Sequence, residues 1–185
     1  PAMQEKGGNF MSNNAEAKKE EMVTLEDAKE QVRRVCARLG LLHYAFAKTL
    51  VEELGDERGK QVAMNAIKLY STMIGEEVKK KVEAKGLDNS PQNYVEDLPK
   101  YGMHEGREVV QVEGHRRTKA FGCEMGKVWR ALGKEAEGLG RIYCYVDPAK
   151  YMAYNPNFKL IHYRALPDGE DYCELGVVPT TEKDR

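Results

Sequence analysis

The sequence predicts an α+β fold, a helical N-terminal half packed on a C-terminal antiparallel β-sheet with interspersed short helices. Three observations predict it. Apolar residues recur at helical spacing from Thr24 to Gly86. After Pro99 the period becomes strand-like. Tight turns at Glu113-Gly114 and Asp168-Gly169 then join short apolar segments into hairpins. With 185 residues the chain is long enough to bury one core. Residues 23–185 are therefore read as a single α+β domain, its helical part about 24–98 and its sheet part about 106–178. Residues 1–22 read as a polar, mobile N-terminal leader.

The elements follow in order. Thr24 and Asp27 form a capping-box-like start, with Asp in place of the usual Glu or Gln. Ala28, Val32, Val35, Cys36 and Leu39 then share a helix face, and Gly40 is placed to end or kink that helix. A second helix carries Leu42, Ala45, Phe46, Thr49, Leu50 and Leu54 and stops at Gly55-Asp56. The third, from about Glu57 to Lys85, puts Val62, Ala66, Leu69, Tyr70, Met73, Ile74 and Val78 on one face. Gly86 is its C-cap, behind a lysine-rich last turn that suits the helix dipole. Asp88 to Pro91 breaks the pattern, and a short segment capped by Asn89 or Ser90 runs to Leu98. Glu108–Glu113 and Arg116–Phe121 make the first hairpin. Met125–Glu137 reads as a helix ended by Gly138 and Gly140, and Arg141–Val146 as a strand. Pro148 to about Tyr154 is a short helix with proline at its start. Lys159–Leu166 and Tyr172–Val178 complete the second hairpin.

Composition narrows the function. Apolar residues make up 41% and charged residues 32%, as in ordinary globular proteins. A net charge of −1 and a pI near 6.6 provide no bulk electrostatic footprint for nucleic acid. The basic run from His115 to Lys119 is offset by Glu105, Glu108, Glu113 and Glu124. No apolar run approaches the roughly 20 residues that span a bilayer, and no signal-peptide segment opens the chain. Cytoplasmic location, no membrane partner and a small-molecule substrate are the expectations. The apolar face of the long helix serves either the core or a homodimer. A glycine-rich phosphate loop between strand and helix is absent.

Chemistry concentrates in the last third. In a reducing compartment Cys36, Cys123, Cys144 and Cys173 are free thiols, ligands or nucleophiles rather than disulfides. On the expected strands Cys144 shares a face with Ile142 and Val146, and Cys173 with Leu175 and Val177. Both then point at the core, where a small buried thiol is a common and inert residue. Alternatively Cys173 or Cys144 is a nucleophile, if a base or a positive partner lowers its pKa. Asp147, three residues beyond Cys144, is placed to hold a histidine or a substrate amine. A third option gathers Cys123, Cys144 and Cys173 around zinc, with Asp147 or Glu174 as fourth ligand. No CxxC pair supports it, and no other cofactor is signalled. His43 and His162 are the histidines placed to partner a thiol, while His104 and His115 read as solvated. Arg164, expected on the strand face of His162, is either a bidentate clamp for a substrate carboxylate or an exposed strand charge.

Several segments, in order, resemble the L-2-amino-thiazoline-4-carboxylic acid hydrolase family. They are Leu54 to Gly59 between helices, Phe121-Gly122-Cys123, the run Leu139 to Asp147, Asn155-Pro156, and Leu166 with Gly169 and Cys173 before the last apolar strand. The resemblance covers about residues 25 to 178. It implies a cytoplasmic hydrolase acting on a C–N bond of a small cyclic amidine, opening a thiazoline ring toward a carbamoyl-cysteine. Cys123, Cys144, Asp147 and Cys173 fall on the segments that carry the match. The last hairpin is also similar to small-molecule-binding domains of the 4-vinyl-reductase type, which implies a sensor or binding module without turnover.

Overall fold

A single residue, Gly55, joins the two helices that fill the N-terminal half, α1 (Leu25–Leu54) and α2 (Asp56–Glu83). The computed structural model describes residues 22–184, so the leader expected over 1–22 lies, but for Met22, outside the described residues. Thr24 caps α1 as expected, its Oγ1 accepting the Asp27 amide at 3.1 Å. The break expected at Gly40 is absent and α1 runs straight through it. A glycine inside a helix costs only about 1 kcal/mol. Here its missing Cβ admits a neighbouring helix, since a Cβ at Gly40 would stand 3.1 Å from Met125 Cα.

The buried face of α2 is turned away from the expected one. Gly59, Ala63, Ile67, Ser71, Gly75, Val78 and Val82 are buried, while Leu69, Tyr70 and Met73 are exposed. The apolar pattern has two candidate stripes, and the one made of small residues wins because it lets helices approach closely. A Cβ at Gly75 would come within 2.2 Å of the Lys150 carbonyl oxygen. The segment from Asp88 to Leu98 forms only a 3-10 turn at Pro91–Asn93. It otherwise runs as an irregular connection toward the sheet.

Two antiparallel hairpins then build one sheet. β1 (Gly106–Val112) and β2 (His115–Phe121) meet at a turn in which Glu113 (φ 52°) and Gly114 (φ 79°) both take positive φ, as a two-residue hairpin requires. β3 (Phe158–Arg164) and β4 (Tyr172–Pro179) form the second hairpin. The strand order is β1-β2-β4-β3, with every neighbouring pair antiparallel.

Three short helices lie between the hairpins: α3 (Glu124–Leu132), α4 (Lys134–Tyr143) and α5 (Val146–Tyr154). The single helix expected over Met125–Glu137 is split by Gly133, whose φ of 101° no other residue takes comfortably. The strand expected at Arg141–Val146 is corrected as well. Those residues end α4 and begin α5, because Ala136, Leu139, Gly140 and Ile142 bury one helical face. A short apolar run is ambiguous between strand and helix until its packing is known. Trp129 decides it: its ring lies where a Cβ of Gly140 would be, 2.2 Å away, and its Nε1–H donates to the Gly40 carbonyl at 2.9 Å. α5 packs on α2 and on β3, which places its first turn between the helical half and the sheet. Among the described residues no helix is long and apolar enough to cross a membrane.

Candidate functional site

Asp147 sits in the first turn of α5, where a helix N-terminus favours an anion. Lys150 is one turn on, an i,i+3 spacing that brings the two side chains together. The Lys150 ammonium lies 2.9 Å from Asp147 Oδ1 and 2.9 Å from Glu96 Oε1. Asp147 Oδ2 takes the other partner, His162 Nε2, at 2.7 Å. His162 pairs with Leu175 across β3 and β4, so both share the sheet face turned toward α5. Cys173, two residues before Leu175 on β4, is on that face too.

A cavity of about 330 Å³ opens at this junction. It is lined by Cys123, Cys144, Asp147, His162 and Cys173 among the residues singled out by sequence, together with Glu96, His104, Arg107 and Lys150. The three thiols arrive from three elements: Cys123 just before α3, Cys144 just after α4, Cys173 within β4.

Burial governs the electrostatics. It pushes the Asp147 carboxyl up, but the Lys150 ammonium and His162 more than offset it, so the group is held well below the usual carboxylate range. Burial also opposes the charge on Lys150, and Asp147 and Glu96 reverse the effect and raise its pKa. All three thiols are raised, burial being the largest cause for each. At Cys123 the amides of Gly126 and Met125 oppose the rise without meeting full capping geometry. At Cys173 the Leu166 amide opposes it, donating to Sγ at 3.3 Å. Cys144 has Asp147 nearby, which adds to the rise. His104 is pushed down to about 4 by burial and by the Arg107 guanidinium.

His162 is the group with unspent capacity. A carboxylate only accepts, so Nε2 carries a proton, and in the neutral form of the ring Nδ1 then has a bare lone pair. That Nδ1 is buried and has no hydrogen-bond partner among the described residues. Buried polar atoms of this kind are few in folded proteins.

The two remaining site residues lie elsewhere. His43 borders a second cavity of about 410 Å³ between α1 and α2, and its Nε2–H donates to the Leu139 carbonyl at 3.0 Å. Burial lowers its pKa. Arg164 does not share the face of His162: a bulge between the two pairs it with Glu174, whose neighbour Cys173 faces the cavity. Its guanidinium donates to Glu170 Oε2 at 3.1 Å, half exposed. Among the described residues no group of three or more His, Cys, Asp or Glu side chains is arranged to hold a metal, so Cys123, Cys144 and Cys173 share a cavity without forming a ligand set.

Sequence reasoning missed Glu96, Lys150, Arg107 and His104. The Asp147–Lys150 spacing was a usable signal once that segment is read as a helix. Nothing local marks Glu96, which reaches α5 from a connection without regular structure.

No curated protein and no solved structure matches the chain. The family model for L-2-amino-thiazoline-4-carboxylic acid hydrolase matches residues 33–177, from within α1 to within β4, and includes every residue lining the polar cavity. The chain belongs to the L-2-amino-thiazoline-4-carboxylic acid hydrolase family.

Proposed function

We propose that this chain is a hydrolase acting on a C–N bond of a small cyclic amidine that carries a carboxylate, with its reaction centre in the polar cavity. The observation that carries the reading is the Asp147–His162 pair at 2.7 Å, with His162 Nδ1 bare and buried in a cavity lined by thiols. Family membership supplies the substrate class. Because burial raises every thiol there, the nucleophile needs a base at the moment of attack rather than a standing thiolate. Cys173 suits this best. It shares the sheet face of His162 and accepts the Leu166 amide, which supports developing charge on Sγ. Cys144, whose pKa Asp147 raises further, suits it less.

In this reaction the Cys173 proton passes to His162 Nδ1 as Sγ adds to the amidine carbon. The ring C–N bond at that carbon breaks, and the imidazolium returns the proton to the leaving nitrogen. Water, deprotonated by the same ring, then displaces the sulfur, and the imidazolium gives that proton back to Sγ. Asp147 holds the ring in the required tautomer throughout. Arg107, on the cavity wall, takes the carboxylate-binding role that Arg164 is too far round the sheet to fill.

The test is turnover of L-2-amino-thiazoline-4-carboxylic acid, followed by product chromatography, in the parent chain and in Cys173→Ser and Cys144→Ser. Loss in Cys173→Ser with retained folding supports the reading. Full activity in both variants overturns the thiol mechanism, and no turnover by the parent overturns the substrate. A second reading, a small-molecule-binding module without turnover, draws on the raised thiols and predicts stoichiometric binding of the same compound with no product.

A further inference from the structure

Three charged side chains share one buried spot: Lys150, Asp147 and Glu96 keep only 11%, 17% and 12% of their side-chain exposure. Such clusters are weak devices for stability, because apolar residues of similar size do as well or better. Their geometry points to another use. Asp147 divides its oxygens, Oδ1 to Lys150 at 2.9 Å and Oδ2 to His162 at 2.7 Å. The lysine therefore fixes the rotation of the carboxylate that orients the ring, and it balances the carboxylate charge. Glu96 reaches the same ammonium from the connection between α2 and β1. That connection is seated on α5 through Tyr94, which stacks on Tyr151 with centroids 3.9 Å apart and donates its hydroxyl to Glu96 Oε1 at 2.5 Å.

We propose that Lys150 is a positioning residue: it locks Asp147 so that His162 keeps its bare nitrogen, and through Glu96 it makes that alignment depend on the seated connection. The inference rests on His162 as the base of the proposed reaction, but its test does not require turnover. With a neutral ring the cluster carries two carboxylates and one ammonium. Removing the ammonium leaves both carboxylates uncompensated and favours the imidazolium, so His162 titrates at higher pH. Removing the Glu96 charge does the opposite. The other titratable and charged groups around the cavity are Cys123 and Cys144 beside α3 and α4, Cys173 on β4, Asp97 and His104 on the connection, Arg107 on β1, Tyr143 on α4, and Tyr70 with the exposed Glu77–Lys81 pair on α2. They are common to every variant below, so differences report the Glu96–Lys150–Asp147 chain.

The experiment is nitrogen-15 NMR of the histidine rings in the full chain across about pH 5 to 9, where imidazole titrates. The His162 signal is assigned with His162→Gln. Lys150→Met is expected to raise the His162 midpoint by roughly one pH unit or more, as expected for loss of one close charge. Glu96→Gln is expected to lower it, and Lys150→Arg to stay near the parent. Opposite displacements in the first two cannot come from general loosening of the fold. Displacements of the same sign, or none, overturn the proposal. If Lys150→Met does not fold, Glu96→Gln decides alone: a lowered midpoint supports the chain of contacts and an unchanged one overturns it. Should the midpoints move as expected while the parent leaves L-2-amino-thiazoline-4-carboxylic acid intact, the positioning role stands and the hydrolase reading falls.

Discussion

Two cavities of similar size, about 330 and 410 Å³, lie on either side of one aromatic wall, and Tyr70 and Tyr143 line both. The first gathers thiols, carboxylates, two lysines, an arginine and two histidines at the junction of α2, α5 and the sheet. The second is an apolar groove between α1 and α2, with His43 as its one ionisable side chain besides the tyrosines among the described residues. Each holds one of the two histidines that the sequence puts forward as a thiol's partner. His43 has spent its Nε2–H on the Leu139 carbonyl, and burial without a countercharge lowers its pKa. His162 is held by a carboxylate and keeps a bare nitrogen. Burial alone therefore does not make a histidine useful. The partner on its other nitrogen does.

The two histidines separate most clearly when one loses its carboxylate partner and the other its ring. Asp147→Asn is expected to lower kcat for L-2-amino-thiazoline-4-carboxylic acid on the order of 10⁴-fold, as loss of an orienting carboxylate does in a triad. His43→Gln is expected to leave it essentially unchanged. Equal losses in steady-state assays of the two would erase the distinction.

Trp129 tests the wall itself. Its ring is 1% exposed and meets His43 and Tyr143 at centroid distances of 6.0 and 6.1 Å. Trp129→Ala should cost about 3–5 kcal/mol in denaturant unfolding, since it removes a large buried ring and its hydrogen bond. A loss below about 1 kcal/mol would mean that the wall is not part of the core.

Gly75→Ala strikes the polar side only, where α2 meets the Lys150 carbonyl. Overpacking there should cost about 1–3 kcal/mol and displace α5, lowering activity more than stability explains. An unchanged melting temperature would show that the helices have room to part.

His104 supplies a pH test. Its folded pKa of about 4 lies below the unfolded value near 6.5, so both states are neutral above pH 6.5. As pH falls from about 6.5 toward 4 the unfolded chain takes up a proton that the folded chain refuses, and stability declines. His104→Gln should flatten that part of the stability profile. A slope identical to the parent's would assign it to other groups. The smallest effect is expected in the groove: Phe46 is 65% exposed, and Phe46→Ser should change stability by less than about 1 kcal/mol.

Much of this molecule was legible in the chain. The start of α1 at Thr24, both hairpins and the positive-φ turn at Gly114 follow from local chemistry, because caps and turns are settled within a few residues. Cys173, Cys144, Asp147 and His162 were legible as candidates, and they do share a cavity. Arg164 and His43 were equally visible and lie outside it, one turned away by a bulge and the other placed behind Trp129 and Tyr143.

By itself the sequence determined the α+β class, the helical and strand-forming halves and the residue types available for chemistry, since periodicity and turn propensity act over one or two turns of chain. Tertiary structure alone decided three things. It made Arg141–Val146 helical, because Gly140 had to pass under Trp129. It chose the small-residue face of α2, because α5 had to approach at Gly75. It brought Glu96 to Lys150 across 54 residues of chain, which no local pattern can announce. In each case the deciding interaction is a contact between surfaces distant in sequence, and local propensity is a weak force beside the packing of a buried ring or the pairing of a buried charge.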